Sequence, residues 1–227
     1  MKTTGGSEEE KKAAARSAVE EVEDGNVVGL GTGSTAGYAI EMLGERVEEG
    51  LDIVGVPTSF QSERNARHSG IPVVSLPGEH PDLTIDGADL FDPDLSMIKG
   101  GGASHTRERL VAEVSDRVVI VADSSKHTDV LDQPVPLEVL EIGAEAVMER
   151  VSGFGGDPRF REAVNKDGVV ITDDGNPVVD ADFGEIPEPS SLSDRLDTVT
   201  GVVCHGLFVD VADEIHYARE DEVEVLE

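Results

Sequence analysis

The first half of the chain alternates between apolar stripes at helical spacing and short continuous apolar runs. Ser7 and Glu10 form a capping-box pattern, and the stripe that follows ends before Gly25, which predicts a first helix. Strands that alternate with helices predict right-handed crossovers and a parallel sheet. The apolar runs predict buried strands at residues 26–30, 52–56, 71–76, 83–85 and 117–122.

The pattern changes from about Pro134 onwards. A helix is predicted at residues 144–151 and another near Leu192, and the turn sequence Asp173–Asn176 joins two short strands into a hairpin. With a further strand at residues 198–204, the series becomes β-α-β-β-α-β. That order predicts a small α+β domain.

Together these patterns predict an α/β fold: a doubly wound, mostly parallel, Rossmann-like sheet with a smaller inserted α+β domain. Residues 206–211 predict a strand that returns to the main sheet, and the acidic segment up to Glu227 predicts a tail. The predicted domain boundaries are 1–133 plus 206–227 for the Rossmann-like domain and 134–205 for the small, ferredoxin-like domain.

The charge balance excludes one class of partner. The chain has 18 Lys and Arg residues against 48 Asp and Glu residues, a formal net charge of −30. Nucleic acids and anionic membranes are bound through cationic surfaces, which this composition does not supply. Only six of the basic residues are lysine. A folded, lysine-poor, strongly acidic chain resembles the proteins of salt-loving archaea, where salt screens the repulsion between carboxylates.

Compartment and membrane association follow from three further features. A lone cysteine, Cys204, cannot form an intrachain disulfide, which fits a reducing compartment. No apolar run has the length of a membrane span, and the first residues lack the apolar core of a signal peptide. We therefore expect a cytoplasmic protein without a membrane partner.

A glycine-rich turn follows the first predicted strand. Gly29, Gly31 and Gly33 precede a helix, and glycines allow backbone N–H groups to approach an anion at a helix N-terminus. The spacing is not that of the dinucleotide fingerprint, and a tight turn capped by Ser34 or Thr35 explains it about equally well. The two hydroxyls favour an anion site. The residues of this candidate site are Thr32, Gly33, Ser34 and Thr35.

A second stretch, Leu83–Glu108, carries the groups that proton transfer requires. Asp86 and Asp89 follow a predicted strand, Lys99 precedes three glycines, and Glu108 falls early in a predicted helix. Carboxylates, one ammonium group and exposed backbone amides suit proton-transfer chemistry on a small anionic substrate. Taken singly, the aspartates are also common turn formers, and the glutamate could lie on a solvated helix face.

Topology predicts that these groups converge. Thr32–Thr35, Thr58, Ser59 and Asp86 all fall at the carboxyl ends of predicted parallel strands, where ligands bind in such sheets. The six histidines are scattered without the spacing of metal ligands, so no metal site is predicted. The absence of a P-loop argues against kinases and ATPases.

Several short motifs resemble the type A ribose-5-phosphate isomerase family. They occur in the order and approximate spacing of that family and cover nearly the whole chain. In combination they are far more specific than any one alone. The motifs are Gly31–Ala36, Asp86–Asp89, Lys99–Ala103, Thr106–Glu108, Asp123–Lys126, Thr172–Asn176, Gly201–Val203 and Gly206–Phe208.

The resemblance implies reversible interconversion of ribose 5-phosphate and ribulose 5-phosphate, an aldose–ketose isomerisation of the non-oxidative pentose phosphate pathway. It implies that Glu108 moves a proton between C1 and C2 through an enediolate, and that Lys99 stabilises the oxyanion. It further implies no metal or nucleotide cofactor, a sugar phosphate as partner, and a homodimer or homotetramer.

The resemblance also implies which residues contact the substrate. Asp86 and Asp89 would assist ring opening and hold hydroxyls, while the turn after the first strand and Lys126 would bind the polar ends of the substrate. Which of these takes the phosphate stays open. Together with Glu108, the implied site comprises Thr32, Gly33, Ser34, Thr35, Asp86, Gly87, Ala88, Asp89, Lys99, Gly100, Gly101, Gly102 and Lys126.

Two other functional classes stay open from the residues alone. A non-catalytic sugar-phosphate-binding sensor domain would share the fold and the glycine turn, but it would not need Lys99 and Glu108 together. A nucleotide-dependent oxidoreductase would need an acidic residue after the second strand, where Val56-Pro57 stands. Activity without added cofactor and a test of nicotinamide binding distinguish these classes.

Overall fold

The computed structural model describes residues 6–76, 78, 80–165, 167–219 and 222–227. The chain divides into two compact units. The described residues of the large unit are 6–76, 78, 80–88, 107–127, 210–219 and 222–227, and those of the small unit are 89–106, 128–165 and 167–209. The predicted domain boundaries at residues 134 and 205 stay a prediction.

The elements are numbered in chain order. The helices are α1 (Glu8–Val19), α2 (Ser34–Glu48), α3 (Phe60–His68), α4 (His105–Glu113), α5 (Ala144–Ser152) and α6 (Pro189–Asp197). The strands are β1 (Val27–Leu30), β2 (Val54–Pro57), β3 (Leu83–Gly87), β4 (Leu90–Phe91), β5 (Met97–Ile98), β6 (Val118–Asp123), β7 (Val135–Val139), β8 (Asp157–Phe160), β9 (Val178–Asp182), β10 (Val202–His205), β11 (Leu207–Phe208), β12 (Glu214–Arg219) and β13 (Glu222–Leu226).

The large unit is built on a six-stranded sheet with the strand order β13-β12-β6-β3-β1-β2. The four pairs from β12 to β2 are parallel, and only β13 at the edge runs antiparallel. Helix α1 begins with the predicted capping box, in which the Ser7 hydroxyl accepts from the Glu10 N–H at 3.0 Å. Its apolar stripe packs into the main core with α2 and the inner strands.

Helices cover both faces of this sheet, as the alternating side chains of β1 and β3 show. Val28 and Ile85 belong to the core that α1 and α2 cover. Gly29 and Thr84 point to the opposite face, where a Cβ added to Gly29 would lie 3.0 Å from Val111 of α4. The predicted doubly wound, mostly parallel sheet is therefore confirmed.

The small unit contains a β-α-β-β-α-β series, but its second strand is β8. The first strand of the predicted hairpin, residues 169–172, makes only isolated bridges to Glu162 and Pro177. Strands β7 to β10 form an antiparallel sheet in the order β10-β7-β9-β8. Helices α5 and α6 contribute Val147, Val151, Leu192 and Leu196 to a core of their own. A second, three-stranded antiparallel sheet, β11-β5-β4, belongs to the same unit.

Three further predictions about strands were wrong. Residues 71–76 do not form a strand, although Val73 makes one isolated bridge to Gly55. Within 206–211 the strand is only β11, and it pairs with β5 in the three-stranded sheet, not with the main sheet. The predicted acidic tail instead supplies β12 and β13, because Ile215, Tyr217 and their neighbours are apolar enough to be buried.

Candidate active site

Hydroxyl groups gather at the carboxyl ends of β1 and β2, as predicted. The Thr32 hydroxyl lies 3.0 Å from the Thr58 hydroxyl and 2.7 Å from that of Ser59. The Thr58 hydroxyl in turn donates to the carbonyl of Leu30 at the end of β1, at 3.1 Å. This network fixes the turn after β1 against the neighbouring strand.

Asp86 is buried at the end of β3, and backbone amides hold its carboxylate. Its Oδ1 atom accepts from the N–H of Thr32 at 3.0 Å and from the N–H of Gly87 at 2.7 Å. A Cβ at Gly31 would lie 2.1 Å from the same oxygen, so only glycine allows this approach. The aspartate therefore connects the candidate loop after β1 to β3.

The turn leads directly into the N-terminus of α2. Gly33 is the N-cap residue, with φ of 125°, a conformation that favours glycine, and its side chain offers no capping group. Gly33 and Ser34 are exposed, whereas Thr35 is buried. The first amides of a helix without a side-chain cap are donors suited to an anion.

Glu108 lies in the first turns of α4 and is 3% exposed. It precedes Val111 by one helical turn, so both side chains face the sheet on the side of Thr84. Asp86 is two residues beyond Thr84 on β3 and shares this face of the sheet. The expectation of a solvated glutamate is thereby excluded for this position.

Lys126 closes a short 3₁₀ helix, Ser124–Lys126, directly after β6. It is 8% exposed, unusual for a lysine. Asp123 caps the same turn, because its Oδ1 atom accepts from the Ser125 N–H at 3.0 Å. The lysine is thus held at the carboxyl end of a fourth strand of the large unit.

The small unit carries Lys99 and the glycine loop Gly100–Gly102. Lys99 is 3% exposed, its N–H donates to the carbonyl of Gly206 at 2.8 Å, and its ammonium lies 5.6 Å from the centre of the Phe208 ring. A Cβ at Gly206 would come within 2.2 Å of the Lys99 carbonyl oxygen. In the same unit, the Asp89 carboxylate accepts from the Gly101 N–H at 2.6 Å.

A buried carboxylate that the sequence analysis missed connects two of the motifs. Glu138 on β7 is fully buried and accepts from the hydroxyls of Thr106 and Thr172 and from the Asn176 amide. Thr106 stands in the first turn of α4, two residues before Glu108. The signal in the sequence was a single acidic residue within an otherwise apolar strand, 135–139.

The predicted residues thus fall into two sets. In the large unit the structure brings together Thr32, Asp86 and Gly87, with Glu108 on the same side of the sheet. In the small unit it brings together Asp89 and Gly101 next to Lys99. Ala88, the last large-unit residue before Asp89, is half-buried.

One cluster among the described residues has the composition of a metal site. Glu21, Glu214 and His216 approach one another, with His216 Nε2 3.1 Å from Glu214 and 3.3 Å from Glu21. The guanidinium of Arg117 already contacts both carboxylates, at 2.6 Å from Glu21. A cation is thus present, and the cluster is a salt-bridge network at the edge of α1.

None of the helices in the described parts of the chain is long and apolar enough to cross a bilayer.

Comparison with known proteins identifies the family. The sequence profile of ribose 5-phosphate isomerase A (phosphoriboisomerase A) matches residues 54–222. Ribose-5-phosphate isomerase A of Natronomonas pharaonis is 52% identical over 225 residues, which cover 99% of this chain and 100% of that protein. This chain belongs to the ribose 5-phosphate isomerase A family.

Other members of the family agree in sequence and structure. The Haloarcula marismortui protein of the same name is 52% identical over 221 residues, covering 97% of this chain and 96% of that protein. Ribose 5-phosphate isomerase A from Methanocaldococcus jannaschii superposes with a TM-score of 0.93 at 37% identity, covering 97% and 99% of the two chains.

A further solved structure of the family carries a ligand. It is a D-ribose-5-phosphate isomerase in complex with phospho-erythronic acid, with a TM-score of 0.94, 42% identity, and coverage of 97% of this chain and 98% of that one. Relatives at about 50% identity come mostly from halophilic archaea, which fits the acidic composition. Family membership supports the enzyme interpretation over the non-catalytic sensor domain.

Proposed function

We propose that this chain catalyses the reversible isomerisation of D-ribose 5-phosphate to D-ribulose 5-phosphate. The observation that carries the proposal is a buried glutamate, Glu108, at the carboxyl edge of the sheet in a chain of this family. An aldose–ketose isomerisation moves one proton between two carbons, which requires a positioned base and a stabilised oxyanion. The chain offers both kinds of group.

Glu108 acts as the base in this proposal. It removes the proton from C2 of the open-chain aldose, which generates an enediolate, and returns the proton to C1. Its burial at the start of α4 supports this role, because a base that abstracts a proton from carbon works in a site from which bulk water is excluded. The helix holds the carboxylate in a fixed direction.

Lys99 and the amides of Gly100 and Gly102 stabilise the oxyanion that forms at the carbonyl oxygen, while the Gly101 amide holds Asp89. The support is chemical: an ammonium group and backbone N–H donors are the groups that stabilise developing negative charge without reorganising. Asp86 and Asp89 assist ring opening and hold the hydroxyls of the sugar. Both carboxylates accept backbone N–H bonds, which fix their orientation.

The polar ends of the substrate are bound by Thr32, Gly33, Ser34, Thr35, Gly87, Ala88 and Lys126 in this proposal. The uncapped N-terminus of α2 supports an anion at the turn after β1, and the buried side chain of Lys126 supports a cationic contact at a second place. Either could bind the phosphate, and substitution of Ser34 and Lys126 separately would distinguish them through KM.

We further expect a cytoplasmic homodimer or homotetramer that needs neither metal nor nucleotide. Activity measured in the presence of a chelator tests whether a metal is needed, and loss of activity on chelation would contradict the expectation that none is. Sedimentation in molar salt tests the oligomeric state, and a monomer at micromolar concentration would contradict the expected dimer or tetramer.

The decisive experiment measures ribulose 5-phosphate formation from ribose 5-phosphate, in high salt with chelator, for the unaltered chain and for Glu108→Gln. Loss of the base is expected to lower kcat about a hundred- to ten-thousand-fold. Glu113→Gln, an exposed position on the same helix, is the matched control and should keep full activity. A folded but inactive unaltered chain would refute the proposed reaction.

A further inference from the structure

Arg161 contacts the glycine loop of the small unit through the carbonyl groups of that loop. It follows β8, and its Nη1 atom donates to the carbonyl oxygens of Gly100, at 2.8 Å, and Gly101, at 3.2 Å. The rest of the guanidinium pairs with Asp180 on β9, through Nε to Oδ2 at 2.8 Å and through Nη2 to Oδ1. The side chain of Arg161 is only 12% exposed.

These contacts determine where the amides of the loop point. A trans peptide holds its C=O and N–H groups on opposite sides. Because Arg161 binds the Gly100 carbonyl, the Gly101 N–H points away from it and donates to Asp89. By the same geometry, the Gly102 N–H points away from Arg161, and Gly102 is exposed.

The loop needs such an external constraint. Three consecutive glycines have more backbone freedom than any other tripeptide, so their amides do not hold one direction by themselves. Gly100 has φ of 95°, and the following Ala103 has φ of 61°, a conformation that a residue with a side chain rarely adopts. Asp180 fixes the planar guanidinium through two contacts, which makes Arg161 a rigid clamp.

We propose that Arg161, held by Asp180, is a positioning residue for the reaction: it directs the Gly102 amide to the oxyanion and the Gly101 amide to Asp89. The inference rests on the proposed function of the Lys99–Gly102 loop. Arg161 does not touch the substrate in this proposal, and its effect passes through the two peptide groups whose carbonyls it binds.

The chain supplies a matched control two residues away. Arg159 lies on β8, its side chain is 78% exposed, and it pairs with Asp157 at 2.7 Å. Removing either arginine changes the net charge equally and leaves an aspartate without its arginine. A difference in activity between the two alanine variants therefore reflects the contacts of Arg161 with the glycine loop, and not the loss of one positive charge.

The first experiment compares kcat and KM for Arg161→Ala, Arg161→Lys and Arg159→Ala. Because the oxyanion forms only in the transition state, we expect kcat to fall about ten- to a hundred-fold in Arg161→Ala while KM changes less than about twofold. Arg161→Lys keeps the positive charge but not the forked guanidinium group, so its kcat should lie between that of Arg161→Ala and that of the unaltered chain. Arg159→Ala should match the unaltered chain.

Chemical rescue gives a second, independent readout. Arg161 lines a surface cavity of about 630 Å³ together with Gly101, Phe160 and Asp180, so a small cation can reach the vacated position. Millimolar guanidinium chloride should raise kcat of Arg161→Ala several-fold, and an equal concentration of sodium chloride should not. Thermal unfolding in the same buffer verifies that the variant is folded.

The outcomes distinguish a failure of the proposed function from a failure of the role proposed for Arg161. If the unaltered chain is inactive, the proposed function fails, and the clamp is refuted with it. If the unaltered chain is active and folded Arg161→Ala has the kcat of Arg159→Ala, only the clamp is refuted. A fall in kcat without guanidinium rescue, or a change confined to KM, also counts against the clamp. Asp180→Asn, which loosens the arginine without removing it, should show a smaller loss of kcat in the same direction.

Discussion

The carboxylate of Asp86 accepts a hydrogen bond from the backbone N–H of Thr32, 3.0 Å away, and so joins the end of β3 to the turn after β1. The same oxygen accepts from Gly87. Two amides directed at one carboxylate oxygen hold the buried side chain in a fixed orientation. We relate that orientation to the ring-opening step proposed for the sugar.

Asp86→Asn tests this relationship. The amide oxygen can accept the same two N–H bonds, so the fold should survive with a loss of about 1 kcal/mol, the difference between charged and neutral hydrogen bonds. Activity should fall by at least about a hundred-fold, because the group can no longer accept a proton. Unfolding in urea and initial rates give the two numbers.

Asp82 provides the control for this substitution. Its Oδ2 atom accepts from the Val27 N–H at 2.7 Å, just before the amino end of the same strand. Asp82→Asn should therefore cost similar stability and leave activity unchanged. Equal activity of the two variants would contradict a role for Asp86 beyond structure.

Glu138→Gln should lower the stability of the protein by about 1–3 kcal/mol. Glutamine replaces one accepting oxygen by an NH₂ donor, which then faces a hydroxyl or amide that itself donates. The measurement is the free energy of unfolding in urea at constant molar salt. Glu141→Gln, an exposed position after the same strand, should change it by less than about 0.5 kcal/mol.

Glu214 predicts a specific pH dependence. Burial raises the pKa of this carboxylate, but the hydrogen bonds with His216 and Arg117 outweigh burial, so its pKa lies below the ordinary 4.5. The unfolded chain therefore binds the proton more tightly than the folded one. The stabilisation is complete above pH 4.5 and is lost as the pH falls through the pKa of the folded state.

The test subtracts the unfolding free energy of Glu214→Gln from that of the unaltered chain at each pH. The difference should be about 1 kcal/mol at pH 7 and should shrink towards zero below pH 4.5. Glu222→Gln, an exposed position on β13, corrects for the general effect of removing one negative charge. If this difference in unfolding free energy grew as the pH fell, the pKa of Glu214 would be raised in the folded state and not lowered.

Salt should stabilise the protein strongly. A net charge of −30 on 227 residues produces repulsion that counterions screen, since the Debye length falls from about 30 Å at 0.01 M salt to about 3 Å at 1 M. We expect the midpoint of thermal unfolding to rise by tens of degrees between these conditions. A midpoint independent of salt would contradict the halophilic interpretation.

The prediction from sequence succeeded where one local pattern determines one element. The capping box at Ser7 and the alternation of helices with apolar runs needed no long-range information. Residues 71–76 failed because an apolar run forms a strand only where a neighbour offers a full edge, and here Val73 makes only one bridge to Gly55. Strand β12 was missed because the charged residues at its two ends, Glu214 and Arg219, made the segment resemble the acidic sequence around it, although the residues between them are buried.

The candidate site divides in the same way. Thr32, Asp86 and Glu108 could be named as candidates because their neighbours along the chain have recognisable patterns. Arg161 gave no signal, since its importance depends on two carbonyl groups that lie 61 and 60 positions earlier in the chain. Contacts to backbone atoms leave no trace in residue type, and only coordinates reveal them.

Strand β13 has a practical consequence for handling the protein. It pairs with five of the six residues of β12, from Ile215 paired with Leu226 to Arg219 paired with Glu222. Its own exposed residues include Glu222 and Glu224, and charges along an outer strand discourage further chains from adding to the sheet. Truncation before residue 222 would turn the buried strand β12 into an open template for aggregation, so affinity tags should extend β13 and not replace it.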